Sequence, residues 1–221
     1  PLATRPSLFY SLFSVNKFSA IIFCLILFGL ASLSPAHAAG NLSQIGEQKT
    51  LVILFNFQDD PENRPFTVEE VRERVFTGSQ SLNAYYRENS YDLTWFTGEV
   101  VGWYTTPYDS GPDCRAYDAA RYAENLARAA GVAVDSFPRR IYIHAFTSAC
   151  GIGGSGSSGG NPSDATLNGT ISLATLVHEL GHNLTLGHAN SLDCKPNIIG
   201  AYQNCLKISY GDPFTPMGHS A

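Results

Sequence analysis

The chain has 221 residues, with 14 Lys and Arg against 19 Asp and Glu, a formal net charge of −5 and a pI near 5.6. This acidic balance excludes a nucleic-acid backbone as partner, because phosphate contacts need clustered Lys and Arg. A hydrophobic share of 44% with 12% aromatic residues excludes a disordered chain and suffices for the core of one domain.

In chain order, Arg5 and Lys17 precede an apolar run over 18–33, and Ala36-His37-Ala38 supplies an A-x-A site. The pattern predicts a secretory signal peptide over 1–38, cleaved after Ala38. Its apolar run falls short of the roughly 18 residues that a membrane span needs. The domain over 39–221 is therefore expected outside the cell, as a monomer without stable membrane association. About ten residues separate the expected cleavage point from the first strand, too few for a folded inhibitory propeptide.

The run 51–57 consists almost wholly of β-formers and reads as a buried strand. Thr67 with Glu70 makes a capping box that opens a short helix to about Arg74. Residues 81–88 read as a second helical segment. Over 93–104, Trp95, Phe96, Val100, Val101 and Trp103 predict a hairpin turning near Gly98, its aromatics in the core. Residues 115–130 carry Ala, Tyr and Leu at helical spacing and end at Gly131, a natural C-cap. A strand follows over 140–146, with His144 as a structural or surface residue. The Gly- and Ser-rich stretch 151–160 reads as a flexible loop that rims a cleft and lets substrate backbone approach.

The next segment, His178-Glu179-Leu180-Gly181-His182-Asn183-Leu184-Thr185-Leu186-Gly187-His188, carries the chemistry. Residues four apart share one helix face, so His178 and His182 can offer ring nitrogens to one ion at roughly 2.0–2.1 Å. Glu179, one step around the helix, stands where a general base can reach zinc-bound water. An unbroken helix would carry His188 about 9 Å along its axis from His182, so the helix must break between them. Asn183 and Gly187 are the residues there that tolerate left-handed backbone. Three protein ligands leave a fourth position open, the mark of a catalytic rather than a structural zinc site. No Glu follows Glu179, which removes glutamate as third ligand and leaves Asp193 and Asp212 as rivals to His188. No pattern calls for calcium.

Four cysteines, Cys114, Cys150, Cys194 and Cys205, lie beyond the leader, while Cys24 lies within it. An even number in an exported chain predicts two disulfides. Three connectivities are open, and the favoured one joins Cys114 to Cys150 and Cys194 to Cys205. Sequons stand at Asn41, Asn168 and Asn183, the last expected to be unmodified because a glycan there would crowd the metal. His219 could border the cleft, although nothing in its spacing demands it.

The histidine motif resembles that of the metzincin peptidases, H-E-x-x-H-x-x-G-x-x-H followed by a Met-containing turn beneath the metal. Met217, the only methionine, falls where such a turn is expected. Within that group, 178–184, Gly187-His188-Ala189, Tyr210-Gly211-Asp212, Pro216-Met217-Gly218, Cys150-Gly151 and Asn168-Gly169 look like the gametolysin-like peptidases of algal cell walls and their bacterial relatives. The resemblance covers about 49–218, most strongly from Cys150 onward. It implies an α+β zincin fold, an α/β sandwich with a twisted mixed sheet, a helix carrying the motif and a Met-turn. It also implies a catalytic domain incomplete at its C-terminal end, since such domains continue into a closing helix.

The implied activity is zinc-dependent endopeptidase action on extracellular or cell-wall proteins and glycoproteins. Zinc is held by His178, His182 and His188, with Glu179 as base. One departure stands out: Thr185 occupies the position of the motif glycine, and a β-branched residue is costly at positive φ. Either the turn is taken at Gly187 or Asn183, or His188 is held less well. That departure supports the alternative function, a secreted zinc-binding or wall-attachment module that has lost catalysis.

Overall fold

The computed structural model describes residues 43–197 and 199–218. The leader expected over 1–38, the sequon at Asn41 and His219 lie outside the described residues.

The interior strand β1, Gly46–Phe57, has side chains that alternate between two cores. Val52 and Leu54 join Phe96, Ile141, Ile143, Leu176 and Leu180 on one face. Leu51, Ile53, Phe55 and Phe57 meet Ala119, Ala120, Ala123 and Ala127 on the other. Successive strand residues point to opposite faces, so a strand covered on both must be apolar at nearly every position. Each fully buried Leu, Ile or Phe contributes about 1.5–3 kcal/mol.

The other strands of the main sheet are β2 (Thr94–Thr106), β3 (Arg139–His144), β4 (Gly154–Gly156) and β5 (Ser163–Asn168). The sheet order is β2-β1-β3-β5-β4, parallel throughout except for β4, which runs antiparallel to β5 at one edge. The fold is thus α+β with a five-stranded mixed sheet.

The helices follow their sequence signals closely. Thr67 and Glu70 form the reciprocal capping box of α1 (Val68–Arg72), which continues as a π-helical turn over Glu73–Thr77. Ser81 caps α2 (Leu82–Asn89) by accepting from Ala84 N. Helix α3 (Ala116–Ala129) presents small alanines to the sheet and stops before Gly131, at φ 87°. Helix α4 (Leu173–Asn183) lies on the opposite face.

Two loop readings need correction. The expected hairpin over 93–104 is one strand, paired in parallel with β1 from Gly46 and Thr94 through Phe57 and Thr106. Gly98 is required there by close approach rather than by a turn: a Cβ on it would lie 1.7 Å from the Thr50 carbonyl oxygen. The register slips by one residue between Ile53 and Phe55, a bulge that absorbs the extra residue of β2. The expected flexible loop over 151–160 contains β4, ordered by its pairing with β5.

Both favoured disulfides form, Cys114 with Cys150 and Cys194 with Cys205. The second closes the connection between β6 (Ser191–Asp193) and β7 (Leu206–Ile208), a small antiparallel pair beyond His188. Two disulfides fit an oxidising, extracellular setting. Among the described residues no helix is long and apolar enough to cross a membrane.

Candidate metal centre

Helix α4 has one apolar face and one polar face. Leu176, Val177, Leu180 and Leu184 sink into the core, and the Tyr86 hydroxyl donates to the Val177 carbonyl at 2.8 Å. His178 and His182 stand one turn apart on the other side, their ring centroids 4.8 Å apart. At the helix C-terminus the buried Arg139 guanidinium donates to the Asn183 carbonyl at 2.9 Å. It also donates to Gln48 Oε1, Ser163 Oγ and Ser43 O. All four partners are neutral, and burial lowers the Arg139 pKa to about 10. A cation at this end of a helix is favoured by the exposed carbonyl dipoles.

The left-handed turn after the helix is taken at Thr185 itself, not at Asn183 or Gly187 as the sequence suggested. Thr185 adopts φ 71°, its N–H donating to His182 O at 2.8 Å and the N–H of Leu186 to Gly181 O at 2.9 Å. These two bonds are the Schellman pattern, in which the left-handed position is usually glycine. Thr185 is exposed, so its side chain meets little resistance beyond the strain of its own backbone. The turn brings His188 back: its ring centroid lies 4.8 Å from that of His182 and 5.4 Å from that of His178.

One ligand atom from each of His178, His182 and His188 can be chosen so that all lie within 4.8 Å of one another. Two rings are oriented from behind. His178 Nδ1 lies 2.9 Å from the Pro216 carbonyl and His182 Nδ1 lies 2.9 Å from the Leu186 carbonyl, so each donates there and leaves Nε2 with a free lone pair. Tetrahedral bonds of about 2.0–2.1 Å place ligand nitrogens roughly 3.3 Å apart. The Nε2 atoms of His182 and His188 are 3.1 Å apart. Burial first, then the neighbouring imidazoles of His182 and His178, hold the His188 pKa below the ordinary histidine value, favouring the neutral form that binds a metal. The donor set and its spacing fit a borderline divalent cation.

Met217 packs beneath this cluster. A Cβ on Gly181 would lie 2.5 Å from Met217 Sδ, so helix and turn touch through a glycine. The Met217 carbonyl accepts from Ala189 N at 2.9 Å, tying the residue after His188 to the same turn. Met217 thus touches the motif helix at Gly181 and the chain just after His188.

Glu179 lies between α4 and β4, only 2% exposed. Burial alone pushes its carboxyl up to about 7. A carboxylate so poorly solvated is a stronger proton acceptor than one at the surface.

One neighbour of the centre enters the sequence reading only as part of the family resemblance, with no role assigned. The hydroxyl of Tyr210 is 2.7 Å from His188 Nε2. Its ring sits 3.9 Å from that of His188 and stacks at 6.0 Å on that of His178. Tyr210 follows β7, and no spacing rule links it to the motif. The rivals Asp193 and Asp212 are engaged elsewhere, Asp193 with Lys195 and Asp212 with the Phe214 N–H. Among the described residues, the three histidines are the one group able to hold a metal ion.

His144 lies apart from the site, as expected. It is buried between the rings of Phe55 and Phe57 on the α3 side of the sheet, and burial lowers its pKa. Two of the three sequons are structural: the Asn168 amide donates to Thr147 O and Ile152 O, and the Asn183 amide to Ser157 O and Asp164 O. No protein-family model matches this chain, and no curated protein shows significant similarity to it.

Proposed function

We propose that the protein is a secreted zinc-dependent endopeptidase of the metzincin type, similar to the gametolysin-like peptidases, acting on extracellular or cell-wall proteins and glycoproteins. The observation that carries this reading is the convergence of three imidazoles, the first followed directly along the helix by the buried Glu179. His178, His182 and His188 would hold the ion. When bound, zinc lowers the pKa of a coordinated water toward roughly 7 and polarises a carbonyl.

The remaining steps belong to the chain. Glu179 accepts the proton of the attacking water on its carboxylate and passes it to the departing amine. The low-dielectric position of Glu179 makes that transfer favourable, and the Pro216 and Leu186 carbonyls hold two ligand rings in the metal-binding tautomer. The edge strand β4 runs beside Glu179, where an extended peptide backbone can lie.

The alternative of an inactive zinc-binding module rested on Thr185 as a damaged hinge. Thr185 takes the left-handed turn and His188 lies beside its partners, which supports the active reading over the damaged hinge. The test is Glu179→Gln in the secreted, zinc-loaded protein. Zinc content and fold are expected to stay parental while cleavage of a denatured protein substrate is abolished. Parental turnover in this variant would refute the role.

A further inference from the structure

We infer that Gly154 of β4 is a positioning residue that fixes where the Glu179 carboxylate stands. The inference rests on the reading of Glu179 as the base. A Cβ built on Gly154 would lie 2.9 Å from Glu179 Oε1 and 3.0 Å from its Cγ, and one on Gly156 would lie 2.5 Å from the Glu179 main-chain oxygen. Glu179 of α4 therefore meets both glycines of β4, its Oε1 and Cγ nearest Gly154 and its main-chain oxygen nearest Gly156, with its Oε2 3.2 Å from a Cβ on Gly156. Neither glycine is among the residues at positive φ. Their backbone is open to any amino acid, so what they supply is room.

The surface they form is fixed at both ends. Gly154 and Gly156 pair with Leu167 and Ala165 of β5, and Asn168 N donates to Gly153 O at 2.9 Å. Beyond the strand, Gly159 N donates to His182 O at 3.0 Å and the Asn183 amide to Ser157 O at 3.0 Å. β4 is thus tied to the helix that carries the ligands as well as to the sheet. Ser155, between the glycines, is exposed. A carboxylate packed on so firm a floor keeps one location, and a displacement of about 1 Å at a reacting group can cost on the order of 100-fold in rate.

Gly154 meets Glu179 first through its side chain and Gly156 first through its main chain, which makes the inference separable from a general loss of fold. Gly154→Ala presses on the movable end of Glu179, so the zinc-loaded protein should keep its metal affinity and KM while kcat falls roughly 10- to 100-fold.

A readout independent of activity is the melting temperature. Gly154→Ala should lower Tm more when Glu179 is present than when Glu179 is Ala, the remaining loss coming from the Thr166 carbonyl oxygen 3.1 Å from the added Cβ. Gly156→Ala should lower Tm in both backgrounds, its clash being with main chain. Parental kcat in Gly154→Ala, or the same Tm loss in both backgrounds, would overturn the inference. An active Glu179→Gln would instead refute the base, and the Tm comparison would still report on the positioning.

Discussion

The carbonyl of Leu186 lies 2.9 Å from Nδ1 of His182, while the Leu186 N–H closes the turn onto Gly181. One residue thus ends the helix and orients the ligand ring that the helix has just placed. The histidine geometry is inseparable from the turn at Thr185.

That turn is under strain. A non-glycine residue in the left-handed region costs about 1–2 kcal/mol, and Thr185 stands there at φ 71° with an exposed side chain. Thr185→Gly should therefore raise stability by about 1 kcal/mol, or Tm by roughly 2–4 °C, with zinc content unchanged. Thermal unfolding checks it, and an unchanged or lower Tm would show that the threonine is relaxed.

The phenol of Tyr210 reaches the ligand cluster, and a hydroxyl donor beside a developing negative charge contributes to turnover. Tyr210→Phe keeps the ring contacts with His178 and His188. It should retain zinc while kcat falls on the order of 100-fold. Kinetics with parallel metal analysis decide the matter, and a parental kcat would confine Tyr210 to packing.

Arg139 is the charged residue buried most completely, with its donors spread over the N-terminal segment, the sheet and the end of α4. Arg139→Met would strand Gln48 Oε1 and the Asn183 carbonyl in a dry interior. The expected cost is about 2–4 kcal/mol in urea unfolding. A loss within about 0.5 kcal/mol would mean that water replaces the guanidinium.

Acid should weaken the fold through His144. Its folded pKa lies below the ordinary value of about 6.5 because burial disfavours the charged ring. Below pH 6.5 the unfolded chain binds a proton that the folded chain refuses, so stability is whole above that pH and declines as pH falls toward the depressed pKa. Urea midpoints across pH 5–8 measure this. His144→Asn should flatten the slope, and an unchanged slope would assign it to other groups.

Much of this was legible from residues alone. The apolar run of β1 and the alanine spacing of α3 announce burial directly, and the histidine spacing is a local property of one helix. What escaped depends on partners far along the chain. Gly98 reads as a turn until Thr50 is seen pressed against it, and 151–160 reads as a loop because β4 exists only through β5 and α4. Thr185 looked unsuited to the turn because propensity weighs a residue by itself, whereas the hydrogen bonds of Leu186 and the packing of Met217 hold it there. Tyr210 is brought to the histidines by the return of β7, which no spacing encodes.

The central claim is tested most directly by digestion of a denatured protein with the purified secreted chain, before and after zinc chelation and after zinc is restored. Cleavage that stops with the chelator and returns with about one zinc per chain is the predicted result. Cleavage that persists without metal, or a chain that binds no zinc, would contradict it.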